Sequence, residues 1–155
     1  MDILTPAECQ AIIDDTHVWD TVSLTKTDGG VLKFQQASVD VWKDTYPLML
    51  HECIMKYEVG DYCGLHKDSP WRIISPDHHA VSTWITPLND DYDGGELYVN
   101  GELIEQVIGT PIKLTRTTPH EIKEVTNGIR YSQVSWLFAE KEEGTGWDEN
   151  KIVGE

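Results

Sequence analysis

The segment Gly64-Leu65-His66-Lys67-Asp68-Ser69 contains a His-x-Asp pair. On an extended backbone, residues i and i+2 point to the same face, so an imidazole and a carboxylate converge on one point. They are two of the three donors of a 2-His-1-carboxylate facial triad, which holds Fe(II) and leaves positions for substrate and oxygen. A surface histidine beside a solvated aspartate has the same letters, so the motif needs company from elsewhere in the chain. Pro119-His120-Glu121 supplies a histidine near the start of a strand. The final strand reads Ile129-Arg130-Tyr131-Ser132-Gln133-Val134-Ser135-Trp136. Period 2 puts Arg130, Ser132, Val134 and Trp136 on one face. Val134 and Trp136 read as core residues, so Arg130 and Ser132 should point inward with them. An inward guanidinium needs an anionic partner, because an unpaired buried charge is very costly. The partner is either a protein carboxylate in a structural ion pair or a bound carboxylate gripped by Arg130, with a hydrogen bond from Ser132.

Other residues of suitable type carry less. His78-His79 follow Ser75-Pro76-Asp77, which reads as loop, and both are expected to be plain surface histidines. His17 and His51 lack partners at metal spacing and are expected to be structural. Cys63 lies three residues before His66. On an extended chain it faces away from the His66 and Asp68 side, so a buried thiol is expected there rather than a fourth ligand. Trp71 and Arg72 could line a substrate entrance or pack at the rim of a barrel. Tyr92 and Asp90-Asp91 read as a solvated loop.

The elements that must position these residues are mostly strands. Thr5-Pro6-Ala7-Glu8 has an N-cap residue, proline at the first helical position and glutamate at the capping-box position, which predicts a helix from Pro6 to about Asp15. Strand character then marks Val18 to Leu24, Val31 to Trp42, Leu48 to Tyr57, Ala80 to Leu88, Glu96 to Val99, Ile112 to Thr115 and Ile129 to Phe138. Asp28-Gly29-Gly30, Asp93-Gly94-Gly95, Asn100-Gly101 and Asn127-Gly128 read as turns between them. Short strands at this spacing suggest a sandwich or barrel. The 155 residues suit one domain, since single cores commonly run to about 100–150 residues. The expected core spans about 54–138, with 140–155 as a charged surface tail.

Charge and composition exclude several classes. Twelve basic against 27 acidic residues give a formal net charge of -15, which repels phosphate backbones and argues against a nucleic-acid partner. No apolar run reaches the roughly 18–20 residues that cross a bilayer. Met1 to Pro6 has neither a basic segment nor an apolar stretch of secretory type. Three scattered cysteines fit reduced thiols in an intracellular, cytoplasmic setting rather than a disulfide framework.

Together these residues resemble the 2-oxoglutarate- and Fe(II)-dependent dioxygenases, in their prolyl 4-hydroxylase-like branch. The resemblance spans about Tyr57 to Phe138. Tyr57-Glu58-Val59-Gly60 followed by Gly64-Leu65-His66-Lys67-Asp68 looks like the family's Tyr-x-x-Gly and His-x-Asp region. Leu88-Asn89 followed by Gly94-Gly95-Glu96-Leu97 is similar to its strand and Gly-Gly-Glu-Leu hairpin. His120 takes the distal histidine position, Arg130 the basic cosubstrate position, and Trp136 follows at the familiar spacing. Leu4-Thr5-Pro6-Ala7-Glu8-Cys9 resembles the helix that opens many members. Thr115 and Arg116 depart from the bulky apolar residues of many relatives, and the helical region usual before the first core strand is nearly absent.

The resemblance implies a mainly β fold, a double-stranded β-helix (jelly-roll, cupin-like barrel) with a short N-terminal helix. It implies Fe(II) held by His66, Asp68 and His120. It also implies 2-oxoglutarate as cosubstrate, bound by Arg130 with Ser132 and Tyr57 assisting, and ascorbate as a candidate reductant. The implied reaction is hydroxylation with release of succinate and carbon dioxide. An aspartate at position 68 favours this over halogenation, for which related enzymes carry a small residue there. The leading substrate is a prolyl residue in a peptide or protein, and a free amino acid or other small molecule is the alternative. A non-catalytic metal-binding jelly roll is the rival of another class. The compact size fits a bacterial or viral source.

Overall fold

The structure, a computed structural model, describes residues 1–26, 29–46, 49–67, 78–115 and 118–140, and of 49–50, 78–81 and 138–140 the backbone only. Helix α1 (Pro6–Asp14) starts as its sequence requires. Thr5 Oγ1 accepts from the Glu8 amide, and the Glu8 carboxylate accepts from the Thr5 amide, closing a full capping box with proline in the first turn. The helix buries Cys9 against Leu4, Ala37, Trp42, Ile54 and Leu88 on the outer face of the sheet.

Twelve strands follow among the described residues: β1 (Asp20–Thr25), β2 (Val31–Ser38), β3 (Met49–Tyr57), β4 (Tyr62–His66), β5 (His78–Pro87), β6 (Asp93–Gly94), β7 (Leu97–Val99), β8 (Glu102–Ile104), β9 (Ile112–Thr115), β10 (His120–Ile122), β11 (Val125–Asn127) and β12 (Arg130–Glu140). Ten form one antiparallel sheet in the order β8-β7-β10-β4-β2-β3-β12-β5-β9, with β1 paired to β2. The other two, β6 and β11, pair with each other. The large sheet curls, because side chains from β1, β2, β3, β4, β5, β10 and β12 all line one cavity.

Several boundaries differ from the sequence expectation. Val18 is 83% exposed and precedes β1. The expected strand from Val31 to Trp42 ends at Ser38, because the buried Glu52 carboxylate accepts the Trp42 amide at 3.1 Å and draws the chain into a turn. Strands β8 and β11, three residues each, carry no strand signal in the sequence, whereas His120 does begin a strand, β10, and the extended segment leading to His66 is β4, both as expected. Asp93-Gly94 is not only a turn but a strand pairing with β11. Asn100 and Gly101, with φ of 52° and 78°, do form the two-residue turn between β7 and β8. His78 and His79 are corrected from loop to strand: they open β5, paired with Glu140 and Ala139 of β12. Glu140 therefore ends a strand, and 141–155 lie outside the described residues.

Strand β12 is buried on both faces. Arg130, Ser132 and Val134 point into the barrel, as period 2 predicts. Gln133 and Ser135 point to the other face, where the Gln133 amide donates to Glu52 (3.0 Å) and Ser135 (2.6 Å). Burial pushes the Glu52 carboxyl above its usual range, against the opposing pull of the amides of Trp42, Val41 and Lys43.

Candidate active site

His66 ends β4 and His120 begins β10, and the two are direct partners across the antiparallel pair. Both are buried, and their ring centroids lie 4.4 Å apart. His66 Nδ1 donates to the Gly64 carbonyl (2.7 Å), and His120 Nδ1 donates to the Thr118 carbonyl (2.9 Å). Each donation assigns a tautomer with its lone pair on Nε2, the pattern found behind metal-ligating histidines. Asp68, two residues beyond His66, lies outside the described residues, as do Trp71, Arg72 and Arg116.

The pairing of β4 with β10 carries a bulge: His66 opposes His120, but Cys63 opposes Ile122. Three steps on β4 therefore match two on β10. The extra residue reverses the alternation, so Cys63 faces the same cavity as His66. Its Sγ lies 3.5 Å from His66 Nδ1 and 3.9 Å from Nε2. This corrects the expectation that Cys63 faces away, although its thiol is buried as expected. Glycine is needed at the bulge, since a Cβ on Gly64 would sit 2.9 Å from the Val31 carbonyl oxygen.

The cavity has a volume of about 310 Å³. Val22, Leu24, Leu32, Phe34, Met55 and Ile85 make its wall largely apolar, and His66, His120 and Ser132 bring polar groups to it. Lys26 also reaches it and donates to the Lys67 carbonyl, next in sequence to Asp68. Trp136 lines the cavity and stacks on the exposed His51 at 5.6 Å, so His51 is structural as expected. His17, with its Nε2 2.7 Å from the Ile12 carbonyl and its ring against Trp19, is structural too.

Arg130 is 1% exposed. Its Nη1 donates to Ser132 Oγ at 3.3 Å, and its guanidinium lies 5.1 Å from the Tyr57 ring centroid. Tyr57 is fully buried, stacks on Phe34 and lines the cavity. Burial holds its phenol well above the usual tyrosine range, so the group stays protonated. Among the described residues Arg130 has no carboxylate partner. The structural ion pair weighed from the sequence is therefore not what they form. A neutral side chain takes part instead: Gln106 Oε1 accepts from Nε (3.2 Å) and Nη2 (2.7 Å). Sequence reasoning missed Gln106, which sits 24 residues away in a stretch without regular structure. Gly95 lets the arginine stem pass, since a Cβ there would lie 3.1 Å from Arg130 Cδ.

No family model matches the chain. It is 32% identical over 102 residues to a PKHD-type hydroxylase of Synechococcus sp. (strain JA-2-3B'a(2-13)), covering 59% of this chain and 44% of that protein. The chain thus spans less than half the length of that curated relative. A solved Burkholderia pseudomallei oxidoreductase of the 2OG-Fe(II) oxygenase family superposes with TM-score 0.61 at 15% identity, over 86% of this chain and 79% of that one. The viral collagen prolyl hydroxylase of Paramecium Bursaria Chlorella virus-1 gives 0.58 at 16% identity, over 88% and 92%. These structural likenesses bear out the fold, a double-stranded β-helix with a short N-terminal helix. The resemblance to prolyl 4-hydroxylase-like 2-oxoglutarate oxygenases agrees with what the similar proteins are called.

Proposed function

We propose that this chain is an Fe(II)- and 2-oxoglutarate-dependent dioxygenase that hydroxylates its substrate, with a prolyl residue of a peptide or protein as the leading candidate. The observation that carries the reading is Arg130. A fully buried guanidinium beside a cavity, without a carboxylate partner among the described residues, favours a ligand that brings its own carboxylate.

The residues present fit the metal. Two imidazoles with their Nδ1 atoms tied to backbone carbonyls face one cavity, and Asp68, two residues from His66 in the sequence and outside the described residues, would add an anionic oxygen donor. His66, Asp68 and His120 would hold the ion. Bound Fe(II) would supply the oxidative decarboxylation of 2-oxoglutarate by dioxygen to succinate and carbon dioxide, with one oxygen atom going to a substrate C–H bond. Arg130 grips the distal carboxylate of the cosubstrate. Ser132 accepts from Nη1 and so turns its own proton toward that carboxylate. Tyr57, kept neutral by burial, supports the guanidinium with its ring face. The apolar wall of Val22, Leu24, Leu32 and Phe34 excludes water and suits a pyrrolidine ring.

The similar proteins called prolyl hydroxylases support the peptide reading, and the cavity's modest volume favours a free amino acid as the second reading. Ascorbate as reductant and a cytoplasmic setting belong to the same proposal. The three described cysteines are free and buried, and among the described residues no helix is long and apolar enough to cross a membrane. The test is incubation with Fe(II), 2-oxoglutarate, ascorbate and air against peptide and amino-acid libraries, reading succinate and a substrate mass gain of one oxygen. Succinate that rises with one substrate class supports the reading. Succinate no higher than in a metal-free control overturns it.

A further inference from the structure

The guanidinium of Arg130 has two hydrogen-bonding edges, and the structure treats them differently. The side-on edge, Nε and Nη2, is taken by Gln106 Oε1 at 3.2 and 2.7 Å. The opposite group, Nη1, bonds Ser132, which lines the cavity together with Tyr57, so Arg130 stands one layer behind the wall with Nη1 on its cavity side and Gln106 on its other edge. The other end of the Gln106 amide is also fixed, because Nε2 donates to the Gly95 carbonyl at 3.1 Å. A flipped amide would set an NH₂ group against the guanidinium and an oxygen against a carbonyl, so this orientation is locked.

We infer that Gln106 is a positioning residue: a neutral backstop that turns the Nη1 end of Arg130 toward the cavity and leaves its charge uncompensated for an incoming carboxylate. The inference rests on the proposed role of Arg130 and adds what sets its strength. A glutamate at 106 would meet the same two donors with the same geometry and cancel the charge within the protein. The choice of an amide over a carboxylate thus tunes cosubstrate affinity from behind the site. It also makes preference for 2-oxo acids with a second carboxylate a property of residue 106 as well as of Arg130.

The test compares 2-oxoglutarate with pyruvate, which shares the 2-oxo acid end but lacks the distal carboxylate. Both are titrated without oxygen into Mn(II)-loaded protein by calorimetry. Wild type should prefer 2-oxoglutarate. Gln106→Glu should weaken 2-oxoglutarate by about tenfold or more while leaving pyruvate unchanged, since only the distal carboxylate meets Arg130. Gln106→Leu removes the backstop without adding charge and should lower the 2-oxoglutarate preference by a smaller factor. A 2-oxoglutarate to pyruvate ratio that both variants leave unchanged, or equal weakening of the two ligands, overturns the inference. A wild type with no preference contradicts the role of Arg130 itself, which is a separate failure.

Discussion

His66 and His120 stand opposite each other on neighbouring antiparallel strands, with ring centroids 4.4 Å apart and each Nδ1 tied to a carbonyl two residues earlier in its own chain segment. The backbone that forms the strand pair therefore also fixes the orientation of both rings. If they are metal ligands, His66→Ala and His120→Ala should each weaken Mn(II) or Fe(II) binding by more than the roughly 10–100-fold typical of losing an outer partner. Asp68→Ala should do the same. His17→Ala, whose ring packs on Trp19, should bind metal as wild type does. Metal titrations of the four variants check this.

Arg130→Ala should weaken 2-oxoglutarate binding by about 2–5 kcal/mol, the cost of truncating one member of a buried charge pair. Metal binding should survive. Arg130→Lys should be milder but impaired, because an ammonium cannot serve Gln106 and Ser132 together as the planar fork does. Cosubstrate titration of metal-loaded variants measures both effects.

Gly64→Ala should destabilise the fold by about 1–3 kcal/mol, the usual cost of forcing atoms into a filled space. The new Cβ would meet the Val31 backbone at 2.9–3.0 Å, so the bulge that places Cys63 beside His66 must shift. Thermal melts report the loss, and metal titration reports whether His66 moves with it.

Glu52→Gln separates a charge effect from a packing effect. Burial raises the folded-state pKa of Glu52 above its unfolded value. Its contribution is then fully present below the unfolded pKa and is lost as pH rises through the folded one. The melting midpoint of wild type relative to Glu52→Gln should therefore fall as pH is raised from about 4, the ordinary glutamate range, toward neutrality. Glu52→Ala should cost about 1–3 kcal/mol at any pH, because it strands the Trp42 amide and the Gln133 side chain.

What was legible in the sequence was local. The Thr5-Pro6-Ala7-Glu8 cap predicts α1 because all its hydrogen bonds close within four residues. Period 2 predicts the inward turn of Arg130 and Ser132 because β12 runs regularly through them. Period 2 misplaces Cys63 because a bulge breaks that period; Gly64 permits the bulge, but the register with β10 that creates it is not written in β4 alone. His78 and His79 read as loop from the sequence because their strand state comes from pairing with Glu140 and Ala139, about sixty positions away. Gln106 carries no motif, and only the fold brings it to Arg130.

The central claim is that one cavity takes a metal at His66 and His120 and a dicarboxylate at Arg130. Thermal melts of wild type and Arg130→Ala, with Mn(II) in place of iron and with or without 2-oxoglutarate, test it most directly. Binding to the native state raises the midpoint by mass action. The account predicts a metal-dependent rise on adding 2-oxoglutarate to wild type that Arg130→Ala largely loses. A wild type whose midpoint does not move at saturating metal and millimolar 2-oxoglutarate would contradict it.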